Sequence, residues 1–257
     1  VLADNAQGYT YAKPCSCQGL QTRVRRFNQV RLPARYHACT LENYLERDNN
    51  NLINLKYELL RYRQQFVIGT TGLVLSGPPG TGKTHLLCGL LGHFAVEQGI
   101  QARFIDFGDL TTRIRQGYAD NKSDNEIIDD LVEIPVLGLD ELGKGKGSDW
   151  EISVLDALVN RRYNSGKTTL FTTNYALNSP GQSKGPTSDQ VQEKLSQANQ
   201  GDLRQTEQLL RKLGTPTLEE RVGPRIYSRL NEMCFLRTLK ASDMRQVRQK
   251  SMARPVD

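Results

Sequence analysis

Residues 77–84 constrain the fold of this chain more than any other part of its sequence. Their sequence, GPPGTGKT, fits the phosphate-loop pattern G-x-x-x-x-G-K-[ST] without a mismatch. An apolar run at 72–75 precedes the loop. A helical pattern follows it, with one apolar face formed by Leu86, Leu87, Leu90, Leu91 and Phe94. Because a strand, a glycine-rich loop and a helix in this order form a cradle for polyphosphates, the pattern predicts a nucleotide site.

The residue types of the loop match the chemistry of a bound nucleotide. Glycine lets backbone N–H groups approach a polyphosphate without a Cβ clash. Lys83 is expected to reach the β- and γ-phosphates, and the Thr84 hydroxyl to bind Mg²⁺, so ATP and Mg²⁺ are the expected cofactors. The predicted nucleotide-binding residues are Gly77, Pro78, Pro79, Gly80, Thr81, Gly82, Lys83, Thr84 and His85. Packing is the alternative role for His85, and a simple glycine-rich turn is the alternative for the loop.

The segment 134–141, IPVLGLDE, is a hydrophobic strand that ends in two acids. A strand buried on both faces brings its last side chains to the edge of a parallel sheet where a phosphate loop lies. Asp140 is expected to hold Mg²⁺, and Glu141 to orient and polarise the attacking water. A solvated strand end or a helix cap is the alternative for this pair.

Asn174 ends the next strand-like segment, a β-branched run that begins at Thr168. An amide at that strand end is expected to hydrogen-bond the γ-phosphate or the attacking water. A polar turn residue after a strand is the alternative.

Strand and helix signals alternate between residues 70 and 177. This alternation predicts an α/β fold with a parallel sheet covered by helices on both faces. The predicted strands are 72–77, 103–107, 136–141, 168–173 and 235–239, and the predicted helices are 50–66, 84–98, 109–118, 124–133, 149–164 and 218–233. We divide the chain into a basic N-terminal segment, 1–48, and a P-loop ATPase domain, 49–250, in which the polar stretch 178–217 is an exposed insertion.

Composition narrows the class of protein. The chain has 257 residues, of which 37% are hydrophobic and 24% charged, as in a globular protein with a sizeable core. No apolar run approaches the length of a membrane span, so no membrane partner is expected. The net charge of +6 permits contact with nucleic acid without requiring it. Five scattered cysteines argue against a disulfide framework and favour a reducing cytoplasm.

Cys15 and Cys17 form half of a possible zinc site, because zinc takes four nitrogen or sulfur ligands. His37 and Cys39 are candidates for the other half, although their spacing is unusual. The alternative is that the missing ligands lie upstream of Val1.

Arg225 and Arg229 are four residues apart, so they are expected on one face of a helix. One of them is a candidate arginine finger that completes the ATP site of a neighbouring protomer. A solvated basic helix face is the commoner fate of such residues.

With these residues in place, the chain resembles the AAA+ ATPases of the DnaC/IstB family over about residues 33–245. The segments that carry the resemblance are 77–84, 137–143 (LGLDELG), 172–175 (TTNY), 225–230 (RIYSRL), and near the start 32–36 (LPARY) and 40–44 (TLENY). The resemblance implies that segment 32–44 lies near the adenine. It also implies that Asn174 is the sensor-1 residue, Arg229 the arginine finger and Arg245 the sensor-2 residue. The catalytic set is then Lys83, Glu141, Asn174 and Arg229.

Family members of the DnaC type load the replicative helicase onto single-stranded DNA, and IstB types help a transposase. The resemblance therefore implies an ATPase that self-associates on single-stranded DNA and remodels or loads such a partner, most readily the replicative helicase. A small-molecule P-loop kinase and an ATP switch with negligible turnover are the alternatives. The resemblance also implies that the DNA-contacting element lies after the second strand, so some of the residues Arg113, Arg115 and Lys122 are predicted to meet the DNA backbone, with a solvated helix face as the alternative.

Overall fold

A five-stranded parallel sheet is the centre of the fold in this computed structural model. The structure describes residues 2–4, 9–12, 17–121, 123–145, 147–177, 216–241 and 243. The strands of these ranges are β1 (Leu2–Asp4), β2 (Thr10–Ala12), β3 (Gly72–Ser76), β4 (Ala102–Asp106), β5 (Val136–Asp140), β6 (Thr168–Thr173) and β7 (Cys234–Thr238). Their helices are α1 (Cys17–Val30), α2 (Asn50–Gln65), α3 (Lys83–Val96), α4 (Phe107–Ala119), α5 (Asp124–Glu133), α6 (Asp149–Asn164), α7 (Leu218–Val222) and α8 (Pro224–Met233), and a 3₁₀ turn spans Ala34–Tyr36.

The strand order of the sheet is β4-β5-β6-β3-β7, and every neighbouring pair is parallel. The five predicted strands differ from the observed ones by at most one residue at either end, which confirms the α/β fold. A separate antiparallel pair, β1 and β2, precedes this sheet along the chain. Because all five strands point the same way, their carboxyl ends meet at one edge, where ligands of such sheets bind.

Helices cover both faces of the sheet, as predicted. One core lies against α1, α2 and α3 and contains Val30, Leu59 and Leu90. The other lies against α4 to α8 and contains Ile114 and Leu155. The strands in the middle of the sheet are buried on both faces, which explains their nearly continuous apolar sequences.

The observed helices differ from the predicted ones at two places. The sequence pattern does not predict α1, because arginines interrupt its apolar positions, yet this helix packs on α3 through side chains such as Phe27 and Val30. The helix predicted at 218–233 is two helices, α7 and α8. Gly223 has a φ of 84°, a left-handed value that ends α7, and Pro224 begins α8.

The boundary after residue 48 stays a prediction. In the described structure, side chains from both sides of it share one core, since Leu32, Leu41 and Tyr44 are buried with Leu52 and Leu55. The segment before residue 48 therefore packs against the sheet domain.

The predicted insertion lies outside the described residues from 178 to 215. Its two ends meet, because Ala176 and Thr217 form an isolated parallel bridge and the Leu218 N–H donates to Ala176 O at 2.9 Å. Within the described ranges, no helix is both long and apolar enough to cross a bilayer.

Arg162 on α6 links this helix to α5 and to the amino end of β6, and it is only 1% exposed. The last carbonyl groups of a helix have no partner inside the helix, and those of α5 find one here. The guanidinium donates at 2.6 to 3.2 Å to five acceptors, namely the carbonyl oxygens of Leu131, Val132, Ile134 and Thr168 and the hydroxyl of Thr169. Arg162 therefore fixes the end of α5 against the start of β6.

We expect Arg162→Ala to lower the free energy of unfolding by about 3–5 kcal/mol, because it leaves several buried carbonyl groups without donors. Arg161→Ala is the matched control, since the Arg161 side chain is 35% exposed and forms a surface ion pair with Asp129. That control is expected to cost less than about 1 kcal/mol. Urea-induced unfolding of the full chain measures both values, and equal losses would contradict the assigned role of Arg162.

Candidate functional site

The phosphate loop lies between β3 and α3, at the carboxyl edge of the sheet. Strand β6 holds its start, because the Gly77 N–H donates to Thr173 O at 3.3 Å and Ser76 Oγ donates to Tyr175 O at 2.7 Å. Within the loop, Thr81 Oγ1 donates to Pro78 O at 2.9 Å. These bonds fix the curvature of the loop from within the protein.

Lys83, the first residue of α3, curls back over the loop and is only 7% exposed. Its ammonium donates to the carbonyl oxygens of Gly77 and Pro78 at 2.7 and 2.8 Å. A buried ammonium needs acceptors, and phosphate oxygens at this position would be stronger ones. The location therefore fits the role predicted for Lys83.

Two glycines of the loop cannot be replaced by larger residues. Gly80 and Gly82 have φ values of 80° and 86°, in the left-handed region. A Cβ at Gly82 would lie 2.5 Å from the Tyr44 ring, and one at Gly80 would lie 1.9 Å from a carboxyl oxygen of Asp243. The loop thus exposes backbone where a side chain would otherwise lie.

Asp140, the last residue of β5, is the buried acid of the site, with 6% exposure. The Thr84 hydroxyl lies 3.1 and 3.0 Å from its two carboxyl oxygens, and the Thr172 hydroxyl donates to one of them. Burial raises the pKa of Asp140, and the hydrogen bonds from Thr172 and Thr84 oppose that rise. A carboxylate and a hydroxyl in contact at a buried position are the hard oxygen ligands that Mg²⁺ takes, so Thr84 and Asp140 fit such an ion.

Glu141 follows in a strained backbone conformation with a φ of 58°. Its N–H donates to Thr172 Oγ1 at 3.0 Å, and its carboxylate forms an ion pair with the ammonium of Lys144. A left-handed conformation at a residue other than glycine costs about 1–3 kcal/mol and is concentrated at functional sites. The turn directs the Glu141 side chain into the cavity beside the phosphate loop.

One cavity of 450 Å³ brings most of the predicted residues together. Its lining residues are Arg35, Tyr36, Asn43, Tyr44, Leu45, Arg47, Pro79, Gly80, Gly82, Lys83, Thr84, His85, Glu141, Thr172 and Asn174. Asp140 lies behind Thr84 and Thr172, and Arg229 is not among the lining residues. Four chain segments that are far apart in sequence therefore converge on a single site.

The N-terminal segment supplies a wall of this cavity that the residue patterns alone do not predict. Tyr44 is buried, and its hydroxyl donates to Thr81 O at 2.8 Å, while His85 Nε2 lies 2.9 Å from Thr40 O. Burial raises the pKa of both Tyr36 and Tyr44, so these phenols stay neutral hydrogen-bonding groups. This wall lies where the resemblance puts segment 32–44, although its contact with adenine stays a prediction.

Asp106 is an acid beside the site that the sequence patterns do not predict. It ends β4 in register with Asp140 of β5, and its carboxylate accepts from the Gly108 N–H at 2.7 Å. Burial raises its pKa, and the charge of Glu141 adds to the rise. An acid near the end of a predicted strand could have indicated this position from the sequence. The same pattern is typical of a helix cap, and Asp106 is also the N-cap of α4.

The predicted basic residues divide into separate groups. Arg225 and Arg229 share one face of α8, and both reach Asp156 Oδ1, at 3.5 and 3.4 Å. Arg221, on α7, instead donates to the carbonyl oxygens of Gly143 and Gly145 and supports the loop after β5.

Arg113 and Arg115 face different sides of α4. Arg115 lies 4.7 Å above the Trp150 ring and 3.6 Å from Glu151, whereas Arg113 lines a separate cavity. They do not form one basic patch.

Several predicted residues fall outside the described ranges. These are Arg245, Lys122 and Cys15, and of Cys17 only the backbone is described. In the part of the chain that the structure describes, no cluster of three or more His, Cys, Asp or Glu side chains is arranged to hold a metal. The zinc site has no support from these residues and stays a prediction.

Known proteins with similar sequences include two replicative helicase loaders. The chain is 28% identical over 137 residues to DnaC of Buchnera aphidicola subsp. Acyrthosiphon pisum, which covers 52% of this chain and 54% of that protein. It is 25% identical over 151 residues to DnaC of Escherichia coli K12, covering 58% of this chain and 61% of that protein. The chain thus spans little more than half the length of these relatives.

A solved structure agrees with the sequence relatives. The crystal structure of the DnaC helicase loader matches this chain with a TM-score of 0.60 and 27% identity, and the match covers 81% of this chain and 100% of that one. The sequence model of the family described as IstB-like ATP binding protein matches residues 20–187, which is more than half of the chain and contains the cavity-lining segments. This chain therefore belongs to the IstB-like ATP-binding proteins, the DnaC/IstB family of AAA+ ATPases.

Proposed function

We propose that this chain binds ATP with Mg²⁺ in the 450 Å³ cavity and hydrolyses it. The observation that carries the proposal is the contact of Thr84 and Asp140 directly behind a phosphate loop, with Glu141 opening into the same space. These are the parts that a nucleotide-hydrolysing site needs, namely a phosphate cradle, a cation site and a base.

Each side chain has a distinct part in this proposal. The loop backbone and Lys83 bind and neutralise the β- and γ-phosphates. Thr84 and Asp140 hold Mg²⁺, which supplies charge neutralisation when bound. Glu141 accepts the proton of the attacking water, and Asn174 helps to orient that water or the γ-phosphate. Lys144 pairs with Glu141 in this structure, so this contact must loosen for the carboxylate to act as a base.

Lys83→Ala is expected to weaken ATP binding at least about tenfold, because it removes the charge that a buried ammonium provides to the phosphates. Lys167→Ala is the matched control, since that lysine contacts Glu133 away from the cavity. Titration with a fluorescent ATP analogue measures both affinities. Wild-type affinity and turnover in the Lys83 variant would rule out this nucleotide site.

Glu141→Gln is expected to retain ATP binding and to slow single-turnover hydrolysis by about 100-fold or more, the scale of lost general-base catalysis. Glu133→Gln, on the exposed end of α5, controls for the loss of an acidic charge. If the protein is an ATP switch with negligible turnover, the substitution leaves its nucleotide-dependent behaviour unchanged. If it is a kinase, the γ-phosphate is transferred to an acceptor rather than released as free phosphate. Either result would replace hydrolysis as the function.

We further propose that ATP turnover serves to load or remodel a replicative helicase on single-stranded DNA. Support comes from the two relatives named as replicative helicase loaders, each matched over little more than half of its length. The IstB-like family match supports a transposition helper as the second candidate. Co-purification with the Glu141→Gln protein, held in its ATP-bound form, distinguishes these partners. DNA binding is expected to fall steeply with salt if the contacts are to the backbone.

Self-association is the last part of the proposal, with Arg229 completing the site of a neighbouring protomer. Within its own chain Arg229 is 20% exposed at the side chain and is held by Asp156, so its direction is defined before assembly. Arg225 shares that carboxylate but is 67% exposed. An arginine supplied by a neighbouring protomer raises the rate of nucleotide hydrolysis by about three to five orders of magnitude.

Arg229→Ala is therefore expected to bind ATP normally and to hydrolyse it about a thousandfold more slowly. Mixing it with Lys83→Ala protein is expected to restore part of the activity, because one protomer keeps its phosphate loop and the other keeps its finger. Arg225→Ala is the matched comparison on the same helix face. If the Arg229 variant is fully active, or if only the Arg225 variant is defective, Arg229 is not the finger.

A further inference from the structure

A second cavity, of 390 Å³, lies between β4, α4 and α5. Strand β4 is the outermost strand of the sheet, and the cavity lies at that end of the strand order. It shares no lining residue with the cavity beside the phosphate loop. Buried apolar side chains such as Ile105, Leu110 and Leu131 form part of its wall.

Three arginines from three separate elements converge on this cavity. Arg31 follows the end of α1 with a left-handed φ of 59°, Arg103 lies on β4 and Arg113 lies on α4. Among the described residues, no ion pair or side-chain hydrogen bond engages any of the three. Arg115, two residues away on α4, differs in this respect, because it contacts Trp150 and Glu151.

Arg103 is the most enclosed of the three arginines, since Arg31 and Arg113 are both exposed. Its Nε is buried without an acceptor in the described structure. Burial lowers the pKa of Arg103, and the charges of Arg31 and Arg113 lower it further. A bound anion would supply the acceptor that this buried Nε donor requires.

Two acids also line the cavity, but neither neutralises the cluster. The Glu126 carboxylate accepts from the Ser123 N–H at 3.2 Å and caps α5. Asp130 raises the pKa of Arg103 only as the smallest of four influences, and it forms no ion pair in the described ranges. Three positive charges therefore face two acids, one of them already engaged.

We propose that the Arg31–Arg103–Arg113 cavity binds a phosphate group. A phosphate presents at least two charged oxygens in a tetrahedral arrangement, so it can accept from guanidinium groups that approach from three sides. A carboxylate is planar and pairs best with a single guanidinium fork. The proposal does not depend on ATP binding, because this site lies apart from the phosphate loop. The group is the terminal phosphate of a small phosphorylated molecule, because a phosphate monoester offers three charged oxygens to the three guanidinium groups, whereas the phosphodiester of a nucleic acid strand offers two. Contact of Arg113 with a strand is already predicted from the sequence, and the experiment separates the two sources.

The test uses the full chain with its phosphate loop saturated by a non-hydrolysable ATP analogue and Mg²⁺. Calorimetric titrations with inorganic phosphate and with a 20-nucleotide oligothymidine are compared for the wild type, Arg103→Gln and Arg113→Gln. Arg61→Gln on α2 is the control, because it removes one exposed positive charge from the opposite face of the sheet. Since Arg113 is exposed, its substitution is expected to preserve the fold even if Arg103→Gln does not.

We expect at least tenfold weaker binding of inorganic phosphate to Arg113→Gln, and to Arg103→Gln if it folds, with less than a twofold change for Arg61→Gln. If only the oligothymidine responds in this way, the proposal is overturned, because Arg113 is then only the DNA-backbone contact predicted from the sequence. Unchanged binding of both probes to the cavity variants overturns the proposal, and so does an equal loss in the Arg61 control.

Discussion

The buried carboxylate of Asp140 is the charge on which the arrangement of the site depends. An anion away from water costs several kcal/mol unless hydrogen bonds or a cation compensate it. Here one hydroxyl comes from α3 and another from β6, so Thr84 and Thr172 tie the helix after the phosphate loop to two strands of the sheet. Thr172 also accepts the backbone N–H of Glu141. The same two hydroxyl groups that stabilise Asp140 therefore fix the positions of α3 and of the Glu141 backbone relative to β5 and β6.

The segment before residue 48 extends this arrangement from the sheet to the mouth of the cavity. The Tyr44 ring lies against Gly82, where no side chain has room, and its hydroxyl bonds the carbonyl of Thr81. Leu41 and Tyr44 are buried in the same core as α3. The shape of the phosphate loop is thus set from one side by the β6 backbone and from the other by an aromatic ring supplied from far upstream.

The sequence predicts the parts of the fold that have local signals. The phosphate loop, the strand ending in Asp140 and the alternation of strands and helices all depend on neighbouring residues and are confirmed. Helix α1 is missed because arginines separate its apolar positions, and the break at Gly223 is missed because a single glycine is tolerated in many helices. Asp106 lies beside Asp140 only because β4 and β5 are neighbours in the sheet. The three arginines around the second cavity come together only through the packing of α1 and α4 against β4. No local pattern carries that information.

The bridge between Ala176 and Thr217 gives the chain a freedom that the rest of the domain lacks. For a flexible loop whose ends are held side by side, the entropic cost of closure grows with the logarithm of loop length. Doubling such a stretch costs about 0.6 kcal/mol. The described strands of the sheet all lie outside the interval between these two residues, with β6 before it and β7 after it. A change of chain length inside the interval is therefore expected to leave the strand register unchanged, which makes the bridge a natural point for inserting a fluorescent or affinity module.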